Sequence, residues 1–170
     1  LRVIIIQLVN LRTKERMSKR RGTAICLSDL VSEVGKDAAR FYYLTRKNSS
    51  HLEFDIDQAV AKNFDNPLYY IQYAHARICS IINKYKGDLD SGNIRLLKEK
   101  GEISLIKEIL QFRNVIELVA QQCEPFFIVD YLKGLANSFH KFYENHRVLL
   151  EDDRSLTEAR ILLIKAVKVT

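Results

Sequence analysis

The sequence predicts a mainly α protein: a helical bundle joined to the edge of an α/β domain. From residue 28 onward apolar residues recur at helical spacing, with no convincing alternation of period two. Ahead of them stands one β-branched run, Val3-Ile4-Ile5-Ile6-Gln7-Leu8-Val9, which reads as a buried parallel strand. The chain has 170 residues, 47% hydrophobic and 28% charged, which suits one or two small globular domains.

The strand over residues 3–9 leads into a basic loop, Arg16-Met17-Ser18-Lys19-Arg20, after which Thr23-Ala24-Ile25-Cys26-Leu27 reads as a short extended segment. Ser28-Asp29 supplies a capping side chain ahead of Leu30 and Val31 and starts a helix. Gly35 ends that helix, Lys36 to Arg46 forms the next, and Asn48-Ser49-Ser50 is a break. Asp55 with Gln58 three residues on resembles a capping box for a helix to about Asn63. Asp65-Asn66-Pro67 begins the longest clean helix, with Asn66 as N-cap and Pro67 at the first helical position. Ile71, Ala74, Ile78, Ile81 or Ile82, and Tyr85 form its apolar stripe. Gly87 to Gly92 is a turn, and a short helix near Asn93 to Lys100 follows. A second long helix is phased by Ile103, Ile106, Ile109, Leu110, Val115, Ile116 and Val119. Pro125 separates it from a third near Phe126 to His146. The last helix begins near Ser155 or Thr157, with Asp152-Asp153 at its positive N-terminal end.

Formal net charge is +6, but it is unevenly placed. Residues 12–21 carry +5 and Arg2 one more, while from Gly22 onward twenty basic residues meet twenty acidic ones. Bulk electrostatics therefore favour a polyanion at the first loop only. Any RNA binding by the remaining chain must come from local patches and aromatic stacking. Cys26, Cys79 and Cys123 form no C-x-x-C pair and leave an odd count. They read as reduced thiols of a cytosolic protein, and neither zinc nor a disulfide framework is expected. The run 3–9 is interrupted by Gln7, falls far short of the roughly 20 residues of a membrane helix, and lacks a signal-peptide cleavage pattern. A soluble cytoplasmic protein with no membrane partner is the expectation.

Two segments carry candidate chemistry. A mobile loop holding Lys19 can close on the pyrophosphate of bound ATP as charge develops there, while Ser18 and backbone N–H groups donate hydrogen bonds and Gly22 lets the chain turn. The plainer reading of the same loop is a solvated basic turn. On the helix after Pro67, Tyr69, Tyr73, Arg77 and Ser80 share one face away from the apolar stripe. Rings and a guanidinium on one face make a platform for unstacked bases, at roughly 1–3 kcal/mol per stacked base. The plainer alternative has Tyr69, Tyr70 and Tyr73 covering a neighbouring helix, with Arg77 in a surface salt bridge. His51, His140 and His146 show no metal-ligand spacing and are assigned no chemistry. His75 reads as a packing histidine, and Glu151-Asp152-Asp153 as a solvated loop and helix cap.

Taken together, QLVNL over residues 7–11, then RMSKRRGT, LSDLVSEVGKDAARFYYLTR, HLEFDID and DNPLYYIQYAHARICSI resemble the arginyl-tRNA synthetase family of class I aminoacyl-tRNA synthetases. The likeness is specific over residues 3 to about 85. It continues more loosely through Pro125, Tyr131-Leu132, residues 139–143, Arg147-Val148-Leu149 and residues 159–163.

The resemblance implies a Rossmann-type catalytic domain carrying a K-M-S-K-S-like signature, then an all-helical anticodon-binding domain of the DALR type. It divides the chain into a catalytic-domain edge with the signature loop (1–27), connecting helices beside the tRNA stem (28–64) and the anticodon-binding bundle (65–170). Met17, Ser18 and Lys19 match the centre of the signature. Lys19 and Ser18 are thereby implied in catalysis, and Met17, Ser18, Lys19 and Gly22 in ATP binding. Arg16 and Arg20 depart from the pattern, and Arg16 keeps charge without a compact ammonium. Tyr73 and Arg77 are the first candidates for tRNA contact, followed by Tyr69, Gln72, Asn66 and Arg40, with Arg40 placed to touch phosphate or to pair with Asp37.

The intact enzyme so implied uses ATP with Mg2+, arginine and the tRNA for arginine, holds no structural metal, and is expected to be a monomer. Its H-I-G-H-type signature and arginine pocket would lie upstream of Leu1, so this portion is expected to be inactive alone. Two rivals are the corresponding part of another class I synthetase, such as the cysteinyl enzyme, and a non-catalytic tRNA-binding module with a decayed loop.

Overall fold

A computed structural model describes residues 3–12, 26–90 and 92–170. In chain order the elements are β1 (Val9–Arg12), α1 (Leu27–Val34), α2 (Lys36–Tyr43), β2 (Leu52–Asp55), α3 (Ile56–Val60), α4 (Pro67–Lys84), a single 3-10 turn (Ile94–Leu96), α5 (Lys100–Gln122), α6 (Phe126–Asn145) and α7 (Arg154–Val169). They form a small α/β layer at the N-terminal end and a helical bundle behind it, each with its own core.

The small layer departs most from the expectations. β1 and β2 pair in parallel, with Val9 opposite Leu52 and Leu11 opposite Phe54. The regular strand starts only at Val9, and Val3, Ile5, Ile6 and Leu8 are exposed rather than buried. Pairing begins where Leu11 can lie against the cluster of Leu30, Phe41, Tyr42, Leu52 and Phe54. β2 itself is missing from the helical reading of residues past 28. Leu52 and Phe54 are buried and Glu53 between them is exposed, a period-two pattern confined to four strand residues.

Local hydrogen bonds fix the helix ends. Gly35 adopts φ +84 between α1 and α2, a conformation that suits glycine. The predicted extension of α2 to Arg46 stops at Tyr43, where the Leu44 and Thr45 N–H groups tighten onto the carbonyls three residues back, Phe41 (3.0 Å) and Tyr42 (3.1 Å). At the start of α3, Asp55 accepts from the Gln58 N–H at 3.0 Å. That helix ends at Val60 rather than near Asn63, since Asn66 Nδ2 donates to the carbonyls of Ala59 (3.3 Å) and Ala61 (2.7 Å).

Asn66 also caps α4 as expected. Its Oδ1 accepts from the N–H groups of Leu68 (3.0 Å) and Tyr69 (3.3 Å) and from the Tyr42 hydroxyl at 3.0 Å. Burial, with the Asp55 charge behind it, pushes the Tyr42 hydroxyl up to about 12.

In the bundle, α4 and α7 pack with α6, and α5 turns back into α6 at Cys123, whose φ of 56 is left-handed. Ala74, Ile78 and Ile81 of α4 meet Leu105, Leu135, Phe139, Phe142, Ile161 and Ile164 in one apolar core. Gly92 lies so close to α7 that a Cβ would stand 2.4 Å from the Glu158 carbonyl oxygen. The Tyr131 hydroxyl donates to the Glu108 carbonyl at 3.0 Å and ties α6 to α5.

A buried ion pair crosses this core. Arg160 Nε donates to Glu102 Oε1 at 2.7 Å, and its NH1 group donates to the Arg147 carbonyl at 2.7 Å. The second carboxylate oxygen of Glu102 accepts from the Glu99 N–H at 2.9 Å, so the same side chain caps α5.

The two layers are joined through α4, whose Leu68 and Ile71 pack on the small core and whose cap Asn66 binds the Tyr42 hydroxyl, and through two further links. Asn48 donates from Nδ2 to the Cys123 carbonyl (2.9 Å) and from its backbone N–H to Glu124 (3.1 Å). α6 contributes Val129 to the small core while its later residues belong to the bundle core.

Candidate functional site

On α4, Tyr69, Tyr73 and Arg77 succeed one another at intervals of four, and neighbouring elements complete an aromatic patch around them. Phe64, from the turn that Asn66 fixes, lies 5.1 Å from the Tyr73 ring and 6.1 Å from Tyr69, measured between centroids. Tyr69 and Tyr73 are stacked at 6.2 Å. From α6 come His140, stacked on Tyr73 at 5.9 Å, and Tyr143.

The Arg77 guanidinium carbon sits 4.8 Å from the Tyr73 centroid and 4.7 Å from that of Tyr143, and it donates a hydrogen bond to the Tyr73 hydroxyl. Two ring faces thus hold one cation by cation–π attraction. Among the described residues Arg77 takes part in no ion pair, so the surface salt bridge of the plainer reading is not formed.

The patch is graded from wet to dry. Phe64 is 60% exposed, Tyr69, Tyr73, Arg77 and Tyr143 are half-buried, and His140 is 7% exposed at the floor. Burial pulls the His140 imidazole below its ordinary value and the nearby Arg77 charge lowers it further, against a weaker rise from the Tyr70 carbonyl and Glu144. The surroundings thus favour its uncharged form, and it lies 3.4 Å from the Tyr70 carbonyl. Tyr70 turns inward onto His140 at 4.4 Å and follows the plainer reading, covering α6.

Of the other candidates Gln72 borders this patch and the rest lie apart from it. Asn66 is 3% exposed with its oxygen and nitrogen both engaged within the protein, which corrects its placement at an RNA-facing surface. Gln72 is exposed and shares with Tyr69 a groove of about 650 Å³ between α4 and the α1–α2 corner. Arg40 is exposed in the last turn of α2, outside the patch. Ser80 is exposed further along α4, and His75 lies on α4 with Cys79 Sγ 3.8 Å from its Nδ1. Met17, Ser18, Lys19 and Gly22 lie outside the described residues. Among the described residues no group of three or more His, Cys, Asp or Glu side chains is placed to hold a metal ion. No described helix is long and apolar enough to cross a membrane.

Phe64, His140 and Tyr143 are the residues that sequence reasoning missed. The signals were faint: an apolar ring just before the Asp65-Asn66-Pro67 helix start, and aromatic residues repeating across residues 139–143. Neither becomes a site until α4 and α6 are known to be neighbours.

Comparison with known proteins identifies the family of this fold. The family model described as the DALR anticodon binding domain matches residues 71–170. The arginine–tRNA ligase of Desulforamulus reducens is 43% identical over 99% of this chain and 32% of its own length. A Campylobacter jejuni chain, assigned as an arginyl-tRNA synthetase, superposes with a TM-score of 0.75 at 34% identity, covering 96% of this chain and 37% of that one. The Thermus thermophilus arginyl-tRNA synthetase shares the fold, with a TM-score of 0.73 at 21% identity over 94% of this chain and 31% of its own. The chain spans about a third of the length of the curated relatives it matches.

Proposed function

Because this chain belongs to the DALR anticodon-binding domain family, we propose that it is the tRNA-recognising, C-terminal portion of an arginyl-tRNA synthetase. In this reading residues 65–170 bind the anticodon region of the tRNA for arginine. Residues 28–64 connect that bundle to the catalytic domain, and residues 1–27 contribute the ATP–pyrophosphate loop. The intact protein ligates arginine to its tRNA through arginyl-adenylate, using ATP with Mg2+, as a cytoplasmic monomer.

The observation that carries the reading is the clamp of Arg77 between Tyr73 and Tyr143, with Phe64 exposed beside it. Unstacked loop bases offer π-faces to such a surface, and the guanidinium can hydrogen-bond a base edge or phosphate while the rings hold it in place. Phe64, Tyr69 and Tyr73 give the stacking area, and His140, whose surroundings favour its uncharged form, supports their underside. Gln72, in the groove beside Tyr69, is a polar neighbour of the platform, and Arg40 is assigned to a separate backbone contact.

Filter binding of an arginine tRNA to the intact enzyme tests this. Tyr73→Ala and Arg77→Ala should each weaken binding by about 1–3 kcal/mol, the worth of one stacked base, with circular dichroism unchanged. Wild-type affinity in both variants would sink the reading.

A further inference from the structure

The patch continues past Tyr143 into a groove. Tyr143 lines a depression of about 310 Å³ together with Lys84, His146 and Arg147. That depression shares Lys84 and Leu149 with a second of about 470 Å³, which Lys86, Glu151 and Arg154 also line. The path follows the C-terminal end of α4 and the connection between α6 and α7.

Lys84, Lys86 and Arg147 are exposed, and none has a carboxylate within ion-pair distance among the described residues. Arg154 is already paired with Glu158 at 2.9 Å, and among the described residues Glu151 is the one carboxylate lining either depression. This concentration lies in a stretch that is neutral as a whole, so it is a local placement and not a reflection of bulk charge. Lys84 complements the negative end of α4. Lys86 and Arg147 lie beyond the ends of α4 and α6, where that explanation does not reach.

We propose that this two-part groove seats backbone phosphates of the RNA whose bases stack on the Tyr73–Arg77–Tyr143 platform, with Lys84 and Arg147 as the principal contacts. The proposal rests on the platform reading above. Stacking supplies affinity with little register, and phosphate contacts set the register along the strand. Arg147 suits the task because its carbonyl is anchored by Arg160 at 2.7 Å while its side chain stays exposed.

The test measures binding of the intact enzyme to an RNA hairpin bearing the anticodon stem and loop of an arginine tRNA, across a series of salt concentrations. Each phosphate of single-stranded RNA that a variant no longer neutralises lowers the slope of log affinity against log salt by about 0.7. Lys84→Ala with Arg147→Ala should therefore flatten the slope by about 1.4 and weaken hairpins with altered anticodons by the same factor as the cognate one. Tyr73→Ala should weaken binding with the slope unchanged. An unaltered slope in the double variant overturns the groove, whatever Tyr73→Ala does. A flattened slope with Tyr73→Ala binding like wild type upholds the groove and removes the platform. Absence of hairpin binding by the wild-type enzyme overturns both.

Discussion

Replacing Arg160 by leucine isolates the energetic role of the ion pair buried in the bundle. The substitution deletes the Nε–H donor 2.7 Å from Glu102 Oε1 and leaves a carboxylate of 0% exposure with the Glu99 N–H as its remaining partner. The carbonyl of Arg147 loses its donor too, but Arg147 is exposed and water can replace the bond. Removing one partner of a buried pair costs about 3–5 kcal/mol, because the other charge stays desolvated. At roughly 2–4 °C per kcal/mol for a chain of this size, the melting temperature should fall by about 6–20 °C.

Glu102→Leu should cost a similar amount, since it strands the guanidinium and also removes the α5 cap. The double variant, with no stranded charge, should recover to within about 1–2 kcal/mol of the parent, the remainder reflecting the missing cap at about 1 kcal/mol. Urea titrations followed by circular dichroism on all four proteins give the cycle. Single losses below about 1 kcal/mol, or losses that simply add in the double variant, would refute the account.

Other features yield shorter predictions. His140 has its folded-state value lowered by burial, so the unfolded chain takes up its proton first as pH falls. The stability this group contributes is intact above its ordinary value near 6.5 and declines progressively below it; His140→Gln should flatten that decline in denaturant titrations between pH 7 and pH 5, and an identical profile would exclude His140 as its source. Asn66→Ala removes the α4 cap, the Tyr42 partner and the Nδ2 donor together and should destabilise by about 2 kcal/mol or more, whereas Tyr42→Phe removes only the hydroxyl donor and should lose less; equal losses would contradict the assignment of Oδ1 as the cap. In the intact enzyme Lys19→Ala should lower turnover in ATP–pyrophosphate exchange by on the order of 100-fold; a change confined to tRNA affinity would count against the loop's assignment.

How far the sequence disclosed this molecule depended on the range over which each signal acts. Asn66-Pro67 marked the start of α4 because a cap and a first-turn proline are local chemistry, and the bundle helices followed from the spacing of their apolar stripes. β2 escaped because four strand residues offer only two inward positions, and Asp55 beside them read more strongly as a helix cap. Glu102 and Arg160 stand 58 residues apart, and no local pattern distinguishes them from other charged residues on amphipathic helices. The site divided along the same line. Tyr69, Tyr73 and Arg77 were legible as one helical face, but Phe64, His140 and Tyr143 join them only through the packing of α6 on α4. Asn66 misled because a polar residue at a helix start gives no sign from sequence whether its amide faces solvent or a neighbouring carbonyl.

α6 enters both cores, as α4 does through Ile71, and it carries Val129 near its first turn and Tyr143 near its last. Its 20 residues make a rod about 30 Å long. A tilt of about 5° pivoting at Val129 would sweep the far end by roughly 2 Å, comparable to the slack in a stacked ring pair. The strand pair and the ring surface thus lie near opposite ends of this rod. A displacement of the strand pair large enough to tilt α6 would carry Tyr143 with it, against the Arg77 guanidinium 4.7 Å away.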